Sequence, residues 1–213
     1  MKRISSGFDR IAIIVILMAG LLVLATAVQP WVDPRWLYLD TQTVGELSGD
    51  CCHIYDGAIS TLGIMIWAAT AAILLFTAWV GYGLRQKDLT NTTLQGAVVS
   101  TLLALDDAYL FHEIVFPKLG VPQVVIIAIY TGIMAAYLVW NFQFFKTKSS
   151  WILAVSLAAF AASVGIDQIA HSIKPVWVVL EDGAKFVGIV SWFLFHFSLF
   201  SDSVVRAQVV SKT

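Results

Sequence analysis

The segment IAIIVILMAGLLVLATAVQ, residues 11–29, contains 19 consecutive residues without a charged side chain. A membrane-spanning helix needs about 20 predominantly apolar residues, so this segment alone predicts a span. The basic start, Lys2 and Arg3, and the Ala-Thr-Ala triplet at residues 25–27 also fit a secretory signal peptide. Because the apolar run is longer than is usual in such a peptide, we expect the helix to be retained. Cleavage of residues 1–27 is the alternative and would leave five spans.

Five more stretches have comparable length and hydropathy. Hydrophobic residues make up 59% of the 213 residues, charged residues 13%, and the mean hydropathy is +0.82. A soluble domain averages roughly 45–50% apolar and about 25% charged residues. The sequence therefore predicts an all-α, polytopic transmembrane helix bundle of six spans, in a single domain that covers residues 1–213. The predicted spans are residues 11–29, 58–82, 94–116, 123–145, 151–172 and 182–200.

The distribution of lysine and arginine predicts the orientation of the spans. Nine of the 13 basic residues lie on the side that holds both termini, and the positive-inside rule places this side in the cytoplasm. The loop at residues 30–57 is then on the outer side, and we expect the bacterial inner membrane as the location. A net charge of −1 argues against nucleic acid as a partner, and the oligomeric state stays open.

Ionisable residues occur within the predicted spans, mainly in their outer halves. Each costs roughly 2.5–3.5 kcal/mol on insertion scales, so such residues normally face the interior of a bundle or a wet cavity. On a continuous helix, Asp106 and Glu113 share a face because they are seven residues apart. The sequence predicts one shared polar site near the outer leaflet. Its members are Asp106, Asp107, His112, Glu113, Asp167, His171, Glu181 and Lys185.

One interpretation of this site is a zinc centre with an open water position. The metal ligands would be His112, His171, Asp106 and Asp167. Glu113 would act as general base for the bound water. The other predicted catalytic residues are Asp107, Glu181 and Lys185, and Lys185 would steady an anionic group. The corresponding function is a metal-dependent hydrolase of a membrane lipid or small amphiphile.

Two other functions fit the same residues. Ionisable groups in spans also serve proton- or cation-coupled carriers. In a non-catalytic subunit of a membrane complex they would form only an internal hydrogen-bond network. His196 is predicted to be a packed histidine with a hydrogen-bond partner. Cys51 and Cys52 are adjacent, and a vicinal disulfide, free thiols and intermolecular pairing all remain open for them.

Four segments together resemble the motif order of the alkaline ceramidase-like (CREST) membrane hydrolases. They are YDGAISTLG at residues 55–63, the segment at residues 106–113, GIDQ at residues 165–168, and residues 181–192. The resemblance implies a helical bundle, usually of seven spans, with a zinc held by histidines, a catalytic aspartate, and hydrolysis of lipid amide bonds.

The chain departs from that family at one motif. The family carries a late His-x-x-x-His pair, whereas Glu181 and Lys185 occupy the corresponding region here. Of the family's site residues, His112 and Asp167 can be matched, so the zinc ligands would have to differ. The segments are also similar to an uncharacterised group of small bacterial multi-pass proteins with a Leu-Asp-Asp…His-Glu pattern.

Overall fold

The computed structural model describes residues 2–50, 53–146, 149–170 and 174–210. In these ranges every regular element is a helix. In chain order the elements are α1 (Lys2–Val28), α2 (Arg35–Tyr38), α3 (Thr41–Ser48), α4 (Ala58–Gly83), α5 (Lys87–Tyr109), a π-helical turn (Phe111–Val115), α6 (Phe116–Lys118), α7 (Gln123–Trp140), α8 (Phe142–Phe145), α9 (Ser150–Ala170) and α10 (Pro175–Val210).

Five helices in the described part of the chain are long and apolar enough to cross a membrane. Their apolar segments are Gly7–Val28, Ala58–Gly83, Gln123–Trp140, Ser150–Ile169 and Pro175–Ser201. The all-α fold is thereby confirmed, and the five apolar helices fit a multi-pass membrane protein. The predicted span at residues 94–116 is not one of the five. It corresponds largely to α5, which carries charged residues near both of its ends.

The prediction of one continuous helix through residue 116 is wrong. Helix α5 ends at Tyr109, and Leu110 adopts the left-handed conformation with φ 54° and ψ 43°. The Leu110 carbonyl then accepts the backbone N–H groups of Ile114 at 2.8 Å and Val115 at 3.1 Å, which closes the π-helical turn. Asp106 and Glu113 therefore do not share a continuous helical face.

The chain divides into two compact units. Unit 1 comprises Met1–Ile66 and Trp151–Leu194, and unit 2 comprises Trp67–Ser150 and Phe195–Thr213. Helices α4 and α10 each contribute one part to each unit. The prediction of a single domain stays a prediction.

Unit 1 packs its helices through small residues. Ala12 and Ala19 are the buried positions of α1, with 0% and 7% of their surface exposed. A Cβ atom at Gly183 of α10 would lie 2.6 Å from Cγ1 of Val23, so glycine permits this close approach to α1. The Ser156 hydroxyl of α9 donates to the Gly188 carbonyl of α10 at 2.9 Å. Small residues that let backbones approach are typical of helix contacts in membranes.

The segment that follows α1 is fixed by local hydrogen bonds. The Tyr38 hydroxyl, 2.6 Å from Thr26 Oγ1, ties α2 to the end of α1. The Arg35 guanidinium lies 2.7 Å from the Asp33 carboxylate and holds its pKa below the usual value. Gly57 has a φ of 66° and donates its N–H to the Trp36 carbonyl at 2.7 Å. These bonds give the segment between α1 and α4 a defined conformation.

In unit 2, α5 has an inverted distribution of side chains. Its buried positions are mostly small or polar, and they include Thr92, Thr93, Gly96, Ser100 and Asp106. Its exposed face is apolar and includes Leu94, Val98, Leu102 and Leu105. A surface helix of a water-soluble protein shows the opposite pattern.

Candidate functional site

Asp106 is the centre of a hydrogen-bonded cluster in unit 2. It is a buried aspartate near the end of α5, with 3% of its surface exposed. Its Oδ1 atom accepts the Tyr130 hydroxyl of α7 and the backbone N–H of His112, both at 3.0 Å. Its Oδ2 atom is hydrogen-bonded to the His112 ring nitrogen Nδ1. Three hydrogen bonds therefore fix this carboxyl group.

The break at Leu110 is what brings His112 back to Asp106. On an uninterrupted α-helix, two residues six positions apart would be rotated by about 240° and separated by about 9 Å along the axis. A left-handed conformation at a residue with a Cβ atom costs roughly 1–2 kcal/mol. Because such outliers cluster at functional sites, this one marks the Asp106–His112 pair as a candidate.

Exposure increases step by step along the cluster. The side chains of Asp106 and His112 are 4% and 15% exposed, and that of Glu113 is 45% exposed. His112 Nε2 lies 3.4 Å from Glu113 Oε1, while Nδ1 is bonded to Asp106. The two nitrogens of one imidazole therefore face a surface carboxylate and a buried carboxylate. This arrangement can transfer a proton between the surface and the interior of unit 2.

Asp107 has a different partner from its neighbour. Its Oδ2 atom accepts the indole N–H of Trp67 at 3.1 Å, and Trp67 is 2% exposed. This bond joins α4 to α5 and orients the end of α5. The predicted catalytic role of Asp107 stays a prediction.

Three other predicted site residues belong to unit 1. Asp167 lies on α9 and accepts the Gln168 side-chain amide at 2.9 Å. Glu181 and Lys185 are half-buried and lie four residues apart on α10. Helix α10 begins at Pro175, which places Glu181 beyond its first turn. His171 lies outside the described residues. The single site that combines all eight residues stays a prediction.

The described residues contain no group of three or more His, Cys, Asp or Glu side chains that could hold a metal ion. The predicted zinc ligands include His171, which is not among them. Zinc binding by His112, His171, Asp106 and Asp167 therefore stays a prediction. Cys51 and Cys52 also fall outside the described residues, and their redox state stays open.

A second polar cluster in unit 2 includes His196. Its side chain is 1% exposed, and Nε2 lies 3.0 Å from the Tyr137 hydroxyl, which confirms the prediction of a packed, hydrogen-bonded histidine. Tyr130 and Tyr137, which bond Asp106 and His196, were not predicted as site residues from the sequence. Their spacing of seven residues, which puts them on one face of a helix, is the pattern that could have indicated both.

Asn141 forms several hydrogen bonds in the same unit. Its side-chain amide donates to Gln95 Oε1 at 2.7 Å and to the Tyr137 carbonyl at 2.8 Å. Its Oδ1 atom accepts the Thr92 hydroxyl at 2.6 Å. These bonds join α5 to α7 at the end opposite to Asp106.

Apolar helices with ionisable groups on their buried faces are typical of multi-pass membrane proteins that contain an internal polar site. Residues 12–199 match a family described as a domain of unknown function, DUF8692. The match extends over most of the chain, which therefore belongs to this family. No curated protein matches the chain. No solved structure matches it either.

Proposed function

We propose that this chain is a multi-pass membrane protein that exchanges protons at its outer end and uses them in the coupled transport of a second solute. The observation that carries the proposal is the row of contacts from Glu113 through His112 to Asp106. Along this row the exposed fraction of the side chain falls from 45% to 4%. An imidazole can accept a proton at one nitrogen and release a proton from the other. Ionisable side chains inside spans commonly form proton relays.

Tyr130 supports this role of Asp106. Its hydroxyl bonds Oδ1, whereas the ring of His112 bonds Oδ2. One carboxylate oxygen therefore stays fixed while the other exchanges a proton with the imidazole. Asp106 keeps its position in both protonation states, as a repeating transfer cycle requires.

The proposal includes α5 as a sixth span. With 23 residues, α5 is about 34 Å long, enough for a hydrocarbon core of about 30 Å. Its exposed apolar face would contact lipid, and its buried polar face would line the interior of unit 2. Both termini are then cytoplasmic, Asp106 and His112 lie near the outer surface, and the positive-inside rule fits the bacterial inner membrane.

Cysteine labelling tests this topology. In a background with Cys51→Ser and Cys52→Ser, single cysteines are introduced as Lys87→Cys, at the first residue of α5, and Lys118→Cys, beyond its other end. Both positions are exposed. A membrane-impermeant maleimide applied to intact cells should label position 118 and not position 87. Equal labelling at both positions would contradict α5 as a span.

Transport is tested in proteoliposomes that contain a pH-sensitive dye. Gradients of H⁺, Na⁺, K⁺ and Mg²⁺ are imposed over a range of pH. We expect proton movement well above that of empty liposomes, and its loss in Asp106→Asn and His112→Gln. Asp88→Asn and His53→Gln are matched controls at exposed positions and should retain the wild-type rate. Absence of proton movement in folded wild-type protein under all gradients would contradict the proposal.

The metal-dependent hydrolase is the second candidate. One observation favours it, since metal-bound histidines usually donate their other ring N–H to a carboxylate, as His112 can to Asp106. The test is the metal content of wild type and His112→Ala, together with hydrolysis of a fluorescent ceramide. If wild type binds one zinc per chain, and the variant loses both the zinc and the hydrolysis, the hydrolase becomes the supported function and the carrier is rejected.

A further inference from the structure

Tyr137 and His196 form a buried polar pair at a second level of unit 2. They are 3% and 1% exposed, and the hydroxyl lies 3.0 Å from His196 Nε2. The two rings stack with centroids 6.2 Å apart, and Phe145 packs edge-on against both Tyr137 and Phe195. A polar pair surrounded by aromatic rings is more costly to bury than an apolar pair, so a function is the default interpretation within a span.

Helix α7 relates this pair to Asp106. Tyr130 and Tyr137 are seven residues apart, which puts them on nearly the same face and about 10 Å apart along the axis. The Tyr130 hydroxyl bonds Asp106 of α5, and the Tyr137 hydroxyl bonds His196 of α10. Two tyrosines on one face of α7 are therefore hydrogen-bonded to ionisable side chains of neighbouring helices, at two different depths.

Buried hydroxyl groups line α4 and α5 on both sides of the Tyr137 level. Ser100 and Thr70 lie on the side toward Asp106, and Thr93 and Thr77 lie on the other side. Thr93 and Ser100 of α5 are fully buried, as are Thr70 and Thr77 of α4, with at most 1% exposed. Thr93 and Thr77 donate to carbonyls of their own helices, at 2.7 Å to Leu89 and at 2.8 Å to Ile73. Their oxygens keep the capacity to accept hydrogen bonds. Hydroxyls of this kind can take part in a proton path.

Gly96 makes room for the tyrosine hydroxyl. A Cβ atom at this position would lie 2.5 Å from Oη of Tyr137 and 3.1 Å from its Cζ atom. Gly96 therefore lets the hydroxyl reach the backbone of α5. On the far side, Asn141 fixes the Tyr137 carbonyl and connects it to the half-buried Gln95.

We propose that Tyr137 and His196 form a second proton-exchanging site, and that protons pass between it and Asp106 through the interior of unit 2. The inference rests on the proposed proton exchange at Asp106 and His112. In each cycle His196 gains one proton to become imidazolium and returns to imidazole when it releases that proton. Tyr137 on α7 is the titratable side chain bonded to His196, while α5 and α8 present Gly96 and Phe145 to the pair.

Proton movement in the dye-loaded proteoliposomes tests the second site. Tyr137→Phe removes the hydroxyl and keeps the ring, and it should lower the rate at least tenfold, as should His196→Gln. Tyr82→Phe, at an exposed tyrosine of α4, is the matched control and should leave the rate unchanged. Wild-type rates in Tyr137→Phe and His196→Gln, with loss in Asp106→Asn, would overturn the second site alone. No proton movement in wild type would overturn both proposals.

Nitrogen NMR of labelled histidine in reconstituted protein gives a readout that a purely structural role would not affect. The His196 ring should change from imidazolium to imidazole as the pH is raised across the range in which the proteoliposomes move protons. It should still titrate in Asp106→Asn, which separates the second site from the first. A His196 ring that stays neutral at every pH at which protons move would overturn the proposal.

Discussion

Helices α1 and α5 differ in how their apolar and polar residues are distributed. Helix α1 is apolar around most of its circumference and is buried at Ala12 and Ala19. Helix α5 is apolar on its exposed face and small or polar on its buried face. The amount of apolar surface indicates that a helix enters lipid. The side on which its polar residues lie indicates whether it carries an internal site.

The contacts of the two helices differ in the same way. Helix α1 is joined to its unit by close packing at Val23 and by the bond of Thr26 with Tyr38. Helix α5 is joined to its unit by the buried carboxylate of Asp106 and by hydrogen bonds of Thr92 and Gln95 with Asn141. Loss of a buried polar partner leaves other groups unsatisfied, so α5 should be the more sensitive helix.

The largest effect is expected for Asp106→Ala. The change leaves the His112 ring and the Tyr130 hydroxyl without their hydrogen-bond partner, and each buried polar group left unsatisfied costs about 1–3 kcal/mol. Asp9→Ala is the comparison on α1, where the lost bond to Trp151 is 3.2 Å long and only partly buried. It should cost about 1 kcal/mol. Thermal unfolding in detergent measures the stability loss of each variant. Equal losses in Asp106→Ala and Asp9→Ala would contradict the expectation that α5 is the more sensitive helix.

The same glycine substitution on the two helices gives the next largest effect. Gly96→Ala forces the Tyr137 hydroxyl away from α5 and should cost about 1–3 kcal/mol, as overpacking usually does. At Gly20 of α1 no atom lies within 4 Å of an added Cβ, so Gly20→Ala should be neutral or stabilise by up to about 1 kcal/mol. A stability loss at Gly20 that matches the loss at Gly96 would show that α1 packs as tightly as α5.

The five apolar helices could be predicted because run length and hydropathy decide membrane insertion almost alone. The site could be predicted only in part. Asp106, Asp107, His112 and Glu113 stood out as charged residues beside an apolar run, but their arrangement depends on Leu110. Leucine rarely adopts positive φ, so nothing in the local sequence indicated that the helix would end there. Tyr130 was missed because a tyrosine within a span resembles an ordinary packing residue until its partner is known.

A smaller effect is expected at the end of α1. Tyr38→Phe keeps the buried ring and removes the hydroxyl bonded to Thr26 and, at 3.3 Å, to the Val23 carbonyl. A neutral hydrogen bond contributes about 0.5–1.5 kcal/mol, so the unfolding free energy should fall by about that amount. Thr26→Val removes the other partner. If the hydroxyl pair acts as a unit, the double variant should cost less than the sum of the two single losses.

The smallest expected effect concerns the ion pair that follows α1. Because the Arg35 guanidinium lowers the pKa of Asp33 in the folded protein, the pair stabilises the fold at pH values above the unfolded pKa of about 3.9. This stability is lost as pH falls through the lower, folded pKa, so the change lies below about pH 4. Both side chains are partly exposed, and the contribution should stay under about 1 kcal/mol. Unfolding curves of wild type and Asp33→Asn should therefore differ at pH 6 and converge in acid. If the difference in unfolding free energy between wild type and Asp33→Asn instead grew in acid, the ion pair of Asp33 with Arg35 could not be its cause.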